Sequence, residues 1–358
     1  MIAYNFQAGS KEAVGTADEG RWEYAAESPL TARGQVRPID FRAMVTAPAE
    51  QQIVARFAEL GDARQLRLMT ALYVGLKTQP FLALTGPFGS GKAGFVQQLA
   101  EALVGARSGQ FVRIGSAEWA ERSGRRGYFR GLHERFGDSR LTEVLHEAAA
   151  PSGAGKLFIV LLNGLAPDEL YRYAHDLIDL VPHNERPLPA GAERLPLPPN
   201  VLVTATLHTP RDPSPRDAQV LAHAAQVDLG AYTLTYTSPA AGPPVGLQRA
   251  MLADAVRTVP AATARLVGIL GRGTRLAPSA ALTRALWRSG LRIGAAVNQD
   301  LLIYAANAFD RFGGGLFDAD ARRNAQIAYD TRLVQRVVRR LKPDQLLLRR
   351  QLAELVDG

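Results

Sequence analysis

The sequence predicts an α/β fold, a parallel five-stranded sheet flanked by helices and followed by a helical segment. Three observations predict it. Short apolar runs recur at 81–84, 111–114, 156–162, 200–207 and 226–229, and runs apolar at every position are what strands covered on both faces look like. Segments with helical spacing separate them, such as 141–149 and 168–180. Strand–helix alternation of this kind places the strands parallel. Finally, the first run ends in Gly86-Pro87-Phe88-Gly89-Ser90-Gly91-Lys92-Ala93-Gly94, a glycine-rich turn between a strand and a helix.

Residues 1–48 are polar and rich in Gly and Ala without periodicity, and are read as an N-terminal extension. From 49 to 76 apolar residues return at helical spacing (Ile53, Phe57, Leu60, then Leu66, Leu68, Leu72), which predicts two short helices. The α/β core is placed at 49–240. Within it, 182–199 holds six prolines and reads as an insertion, because proline removes the backbone donor that helices and inner strands need. Residues 238–246 (Ser-Pro-Ala-Ala-Gly-Pro-Pro-Val-Gly) read as a hinge. Beyond them, 241–358 is expected to be a helical lid domain, with helices over 291–309 and 328–341, where Val334, Val337, Val338 and Leu341 keep the 3–4 spacing.

The turn after the first strand carries the strongest chemical signal. The spacing G-x-x-x-x-G-K from Gly86 to Lys92 is that of a phosphate-cradling loop. Backbone N–H groups must converge on a phosphate, and a Cβ would obstruct that approach. Lys92 is placed to neutralise phosphate oxygens. The next position ordinarily offers a hydroxyl to Mg²⁺, and here it is Ala93, which has no oxygen to give.

The chain has 358 residues, no cysteine, 47% apolar residues and a formal charge of +8. Disulfides and thiolate-held zinc are therefore excluded. The first fifteen residues lack the basic-then-apolar pattern of a secretory signal, and no apolar run is long enough to span a bilayer. A cytoplasmic protein with no membrane partner is the expectation. The positive charge is uneven. Seven basic residues (Arg332, Arg336, Arg339, Arg340, Lys342, Arg349, Arg350) face one acid, Asp344, and a second basic stretch runs from 113 to 140. Such stretches either form a solvated helix face or attract phosphate backbones.

The order of these segments resembles the McrB-type branch of the AAA+ ATPases over about residues 65–345. Leu72-Tyr-Val-Gly-Leu-Lys-Thr-Gln-Pro-Phe-Leu-Ala-Leu-Thr-Gly-Pro is similar to the helix and strand that lead into that family's P-loop. Ile114-Gly-Ser-Ala-Glu-Trp119, followed by Gly127-Tyr128, resembles its second strand and "GY" loop. Leu197-Pro-Pro-Asn-Val-Leu-Val-Thr-Ala-Thr-Leu-His208 resembles its "LPxNlfviGTvN" sensor strand. Gly290-Leu-Arg292 resembles its "GYR" turn, which implies a nucleotide-sensing role for Arg292. Ala328-Tyr-Asp330-Thr-Arg-Leu-Val-Gln-Arg-Val-Val resembles its "aFDxxilqkvl" helix.

Carried over by position, the resemblance implies that the catalytic set is lost. The strand 157–163 would end in Asp-Glu, but those positions are Leu161-Leu162 or Leu162-Asn163, according to register. The sensor asparagine is His208, and the Asp-Arg of the arginine finger falls on Ala222-His223. The resemblance thus implies a pseudo-ATPase, a degenerate AAA+ subunit of a homo- or hetero-oligomer tied to DNA restriction or defence. Its nucleotide, ATP or GTP, would lie on residues 86–94 without a well-held Mg²⁺. Two alternatives stand beside it. One is an active NTPase using Asp168, Glu169 or a partner's residues, although acids there also suit the first turn of a helix. The other is a DNA-binding adaptor using Arg332–Arg350 and the loop at Arg125-Arg126. Arg211 and Arg216 in a Pro-rich loop either reach a neighbouring subunit's phosphate or are solvated, and Trp119 and Tyr128 are either loop contacts for DNA or packing anchors. His208 and His223 lack metal-site spacing.

Overall fold

The computed structural model describes residues 14–16, 21–23, 49–79, 81–105, 108–115, 140–153, 155–165, 198, 200–207, 225–229, 248, 254–289 and 293–337. Residues 1–48 and 49–358 form two compact units. In the first, β1 (Val14–Thr16) and β2 (Arg21–Glu23) pair antiparallel, Gly15 opposite Trp22. Sequence reading expected no element there. Strands of three residues are shorter than the four or more over which alternation becomes visible.

The second unit begins with α1 (Ala49–Ala58) and α2 (Ala63–Thr78). Asp62 caps α2, accepting the Gln65 N–H at 2.8 Å, a contact of about 1 kcal/mol that separates the two helices. Then come β3 (Phe81–Thr85), α3 (Lys92–Val104), β4 (Phe111–Gly115), α4 (Arg140–Ala149), β5 (Phe158–Leu165), β6 (Val201–Leu207) and β7 (Ala225–Asp228). The strands lie in the order β4-β5-β6-β3-β7, and every neighbouring pair is parallel. The α/β class with a helix-flanked parallel sheet is therefore as expected. Among the described residues four further helices follow: α5 (Val259–Leu270), α6 (Ala280–Ser289), α7 (Ala295–Asn307) and α8 (Ala321–Val337).

Alternate strand residues Leu82, Leu84, Ile159, Leu161 and Leu202 join one core with α1, α2 and α3. The same core takes in Leu266 and Leu270 of α5, Tyr304 of α7 and Ala325 and Ala328 of α8. These helices thus belong to the unit that contains the sheet. Tyr304 donates its hydroxyl to Ala71 O at 3.0 Å, and Asn307 bonds Thr78 Oγ1 at 3.2 Å, so α7 is tied along α2.

Two ionic clusters sit in this packing. Lys77, with no exposed surface, donates to both Glu50 oxygens (2.7 and 3.0 Å), to Phe309 O (3.1 Å) and to Asp254 (3.4 Å). Tyr73 donates to the same Glu50 at 2.7 Å, and Arg265 pairs with Asp254. Burial pushes the Glu50 carboxyl above its ordinary range, outweighing the pull of Lys77. In the second cluster Arg332 grips Asp300 with two bonds of 2.8 Å, and Arg336 adds a third at 2.5 Å. Arg332 also reaches Gln79 at 3.2 Å and lies 5.2 Å from the Tyr304 ring centre. Burial alone would raise the Asp300 carboxyl; the two guanidinium groups overcome it and hold the group well below the carboxylate range.

This corrects the reading of the C-terminal basic stretch as one charged face. Its first two members, Arg332 and Arg336, are buried and committed to Asp300. The remaining five lie outside the described residues. So do the 168–180 helix, the 182–199 insertion apart from Pro198, the 238–246 hinge and the basic loop at Arg125-Arg126.

Candidate phosphate-binding site

The glycine-rich loop sits where the sequence places it, between β3 and α3. Gly86, Gly89 and Gly91 all have positive φ (150°, 78° and 76°). Space around a Cβ at Gly89 is open, so its requirement for glycine is one of backbone conformation and not of crowding. Gly91 is left-handed at the N-cap of α3 and has no side chain with which to cap it. The leading N–H groups of α3 are therefore offered at the loop, where the positive end of the helix dipole favours an anion.

Lys92 is 6% exposed and folds over its own loop. Its ammonium donates to Gly86 O at 2.9 Å, Pro87 O at 2.7 Å and Ser90 Oγ at 3.3 Å. Three donors thus meet three neutral oxygens, which is how a buried ammonium avoids the cost of lost hydration. These three acceptors are uncharged. Phe88 stands at the loop tip, 89% exposed. Ala93 packs its methyl against the main core. A methyl at Gly94 would meet nothing within 4 Å, so glycine is not sterically required there.

Both pairs of positions expected to carry carboxylates, Leu161-Leu162 and Leu162-Asn163, lie within β5. Leu161 and Leu162 are fully buried and pair with Thr204 and Ala205. The ladder then breaks at a bulge between Leu162 and Leu165, with Gly164 at φ 76°. At the bulge Thr206 donates to Asn163 Oδ1 at 3.1 Å and accepts the Gly164 N–H at 2.9 Å. A neutral hydrogen-bonded pair joins these two inner strands near their C-terminal ends. The role of Thr206 was not foreseen, since one threonine inside an apolar run carries no signal until the register is known. Ser90, seen in the sequence only as part of the loop, is the third acceptor for Lys92.

No family model matches the chain, and no curated protein sequence matches it significantly.

A phosphate fits what is present, because backbone N–H groups and one ammonium converge on the loop. For a Mg²⁺, Ala93 offers no oxygen, and Asn163 near the end of β5 offers an amide instead of a carboxylate. Among the described residues no cluster of three or more His, Asp or Glu could hold a metal ion. None of their helices is long and apolar enough to cross a membrane. Arg292, Asp168, Glu169, His208, Ala222, His223, Arg211, Arg216, Trp119 and Tyr128 lie outside the described residues.

Proposed function

We propose that this chain is a nucleotide-binding subunit of AAA+ type that holds ATP or GTP by its phosphates without a firmly held Mg²⁺ and does not hydrolyse it. In this reading it serves an oligomeric assembly as a structural or regulatory member. One observation carries the proposal: Lys92 and the positive-φ loop keep a phosphate cradle, while the positions around it that would hold metal and activate water are the Ala93 methyl and the Asn163–Thr206 pair. Attraction of phosphate needs only the N–H groups and the ammonium. Hydrolysis also needs the metal that bridges β and γ oxygens and a group that orients water.

Titration calorimetry with ATP and GTP, with Mg²⁺ and again with EDTA, tests both halves. Binding lost in Lys92→Met and unchanged by EDTA is expected, with no turnover above background. Adding Ala93→Ser and Asn163→Asp together should make the affinity Mg²⁺-dependent. Turnover abolished by Lys92→Met, or no nucleotide binding at all, would overturn the reading.

A further inference from the structure

The helical segment carries a second basic region, separate from Arg332 and Arg336. Residues 271–279 and 311–323 contain five arginines (Arg272, Arg275, Arg311, Arg322, Arg323) and two acids, Asp318 and Asp320. All five arginines are exposed. The fold brings together the three short segments that bear them. The backbone at Gly313 rests on the last turn of α5, where an added Cβ would stand 3.4 Å from Ile269 Cγ1. Gln326 of α8 donates to Ala277 O at 2.9 Å, and Ser279 N donates to Asp330 at 3.1 Å, so the stretch after α5 runs along α8. Asn324 accepts from Phe317 N at 2.8 Å, closing loop 309–320 onto the start of α8.

Local electrostatics explains only part of this charge. Arg272 and Arg275 follow the C-terminus of α5, where a cation is favourable. Arg322 and Arg323 stand in the first turn of α8, where the helix dipole opposes a cation. Among the described residues, Arg323 alone of the five has a carboxylate partner, Asp318 at 3.1 Å, and its side chain remains 73% exposed. Asp320 is spent on the Arg323 N–H at 2.7 Å, as the cap of the helix. Cations placed against the local field, without lysine among them, suit an external ligand with many phosphate groups, whose oxygen pairs the planar guanidinium fork matches. An aromatic ring stands in the same region. Phe312 is 50% exposed, with the Arg311 guanidinium 4.6 Å from its centre.

We propose that this face, formed by the end of α5, the loop 311–320 and the first turn of α8, binds single-stranded nucleic acid, with the arginines on phosphates and Phe312 stacked on a base. Guanidinium groups tracking a backbone beside an exposed ring are the two parts such binding needs. The inference does not depend on the nucleotide site.

Fluorescence anisotropy with a labelled oligothymidylate of about 16 nucleotides tests it, against the matching duplex and from about 50 to 200 mM salt. Arg272→Glu/Arg275→Glu and Arg322→Glu/Arg323→Glu should each weaken binding about tenfold or more and flatten the logarithmic salt slope by about 1.4. Phe312→Ala should weaken the single strand about fivefold or more and leave the duplex unchanged. Lys156→Glu, at a half-exposed site before β5, should bind as wild type. Should the charge reversals disturb folding, Arg272→Gln/Arg275→Gln on its exposed stretch must still weaken binding and reduce the slope. Wild-type affinity in the arginine variants, tighter binding of the duplex, or equal competition by polyglutamate would overturn the proposal.

Discussion

Lys92 and Arg332 are both buried cations, and their hydrogen-bond partners differ in kind. Lys92 is satisfied by two carbonyls and a hydroxyl of its own loop. These are neutral acceptors that an incoming phosphate can replace with a net gain in charge pairing. Arg332 is held by a carboxylate, two amides and an aromatic ring contributed by α2, α7 and α8, with Arg336 on the same Asp300. Releasing it would leave a buried carboxylate and open the packing of the helices. A basic residue is thus available for recognition when its intramolecular partners are neutral and local, and is structural when they are charged and distant in sequence.

The sharpest test of this contrast removes the shared anion. Asp300→Ala leaves Arg332 and Arg336 without their countercharge, and should cost roughly 3 kcal/mol in urea unfolding, since breaking one side of a buried pair is strongly destabilising. Combining Asp300→Leu with Arg332→Met should recover much of that loss, because a packed apolar pair replaces the ionic one. If Asp300→Ala is neutral, the cluster is ornamental and the contrast fails.

Acid gives a smaller and graded effect, with opposite signs in the two ionic clusters. Asp300 titrates lower in the folded protein than in the unfolded chain, so its contribution is complete above about pH 4 and declines as pH falls below it. The stability gap between wild type and Asp300→Asn should therefore shrink on acidification. Glu50 titrates higher when folded, so the folded state takes up its proton first and stability gains as pH falls toward about 4. Glu50→Gln should remove that gain. The smallest effect is expected at the loop: Lys92→Met should change stability by about 1 kcal/mol or less while abolishing phosphate binding. A large loss of stability there would make Lys92 a structural cation like Arg332.

The same contrast marks what could be read before the structure. Apolar runs at 81–84 and 200–207 and the helical spacing at 49–76 announced their elements, because periodicity is a local property of the chain. The loop from Gly86 to Lys92 was equally legible, since its positive-φ glycines are demanded by its own backbone. β1 and β2 were too short to leave a pattern. Arg332 and Arg336 looked like surface charge because Asp300, their partner, stands more than thirty positions earlier on another helix. The Asn163–Thr206 pair was hidden for a related reason, since a bulge and a parallel register bring β5 and β6 together at that point.

By itself, then, the sequence determined the α/β class, the position of the glycine-rich loop and the lack of a hydroxyl at Ala93. Each depends on residues close together along the chain. Tertiary structure alone decided which charges are sequestered and which are presented. It buried Arg332 and Lys77 in clusters that join helices, left Lys92 among neutral oxygens, and gathered Arg272, Arg311 and Arg322 from three segments onto adjoining turns. The energy of a charge is set by whatever lies within a few ångströms of it, and that neighbourhood exists only after folding.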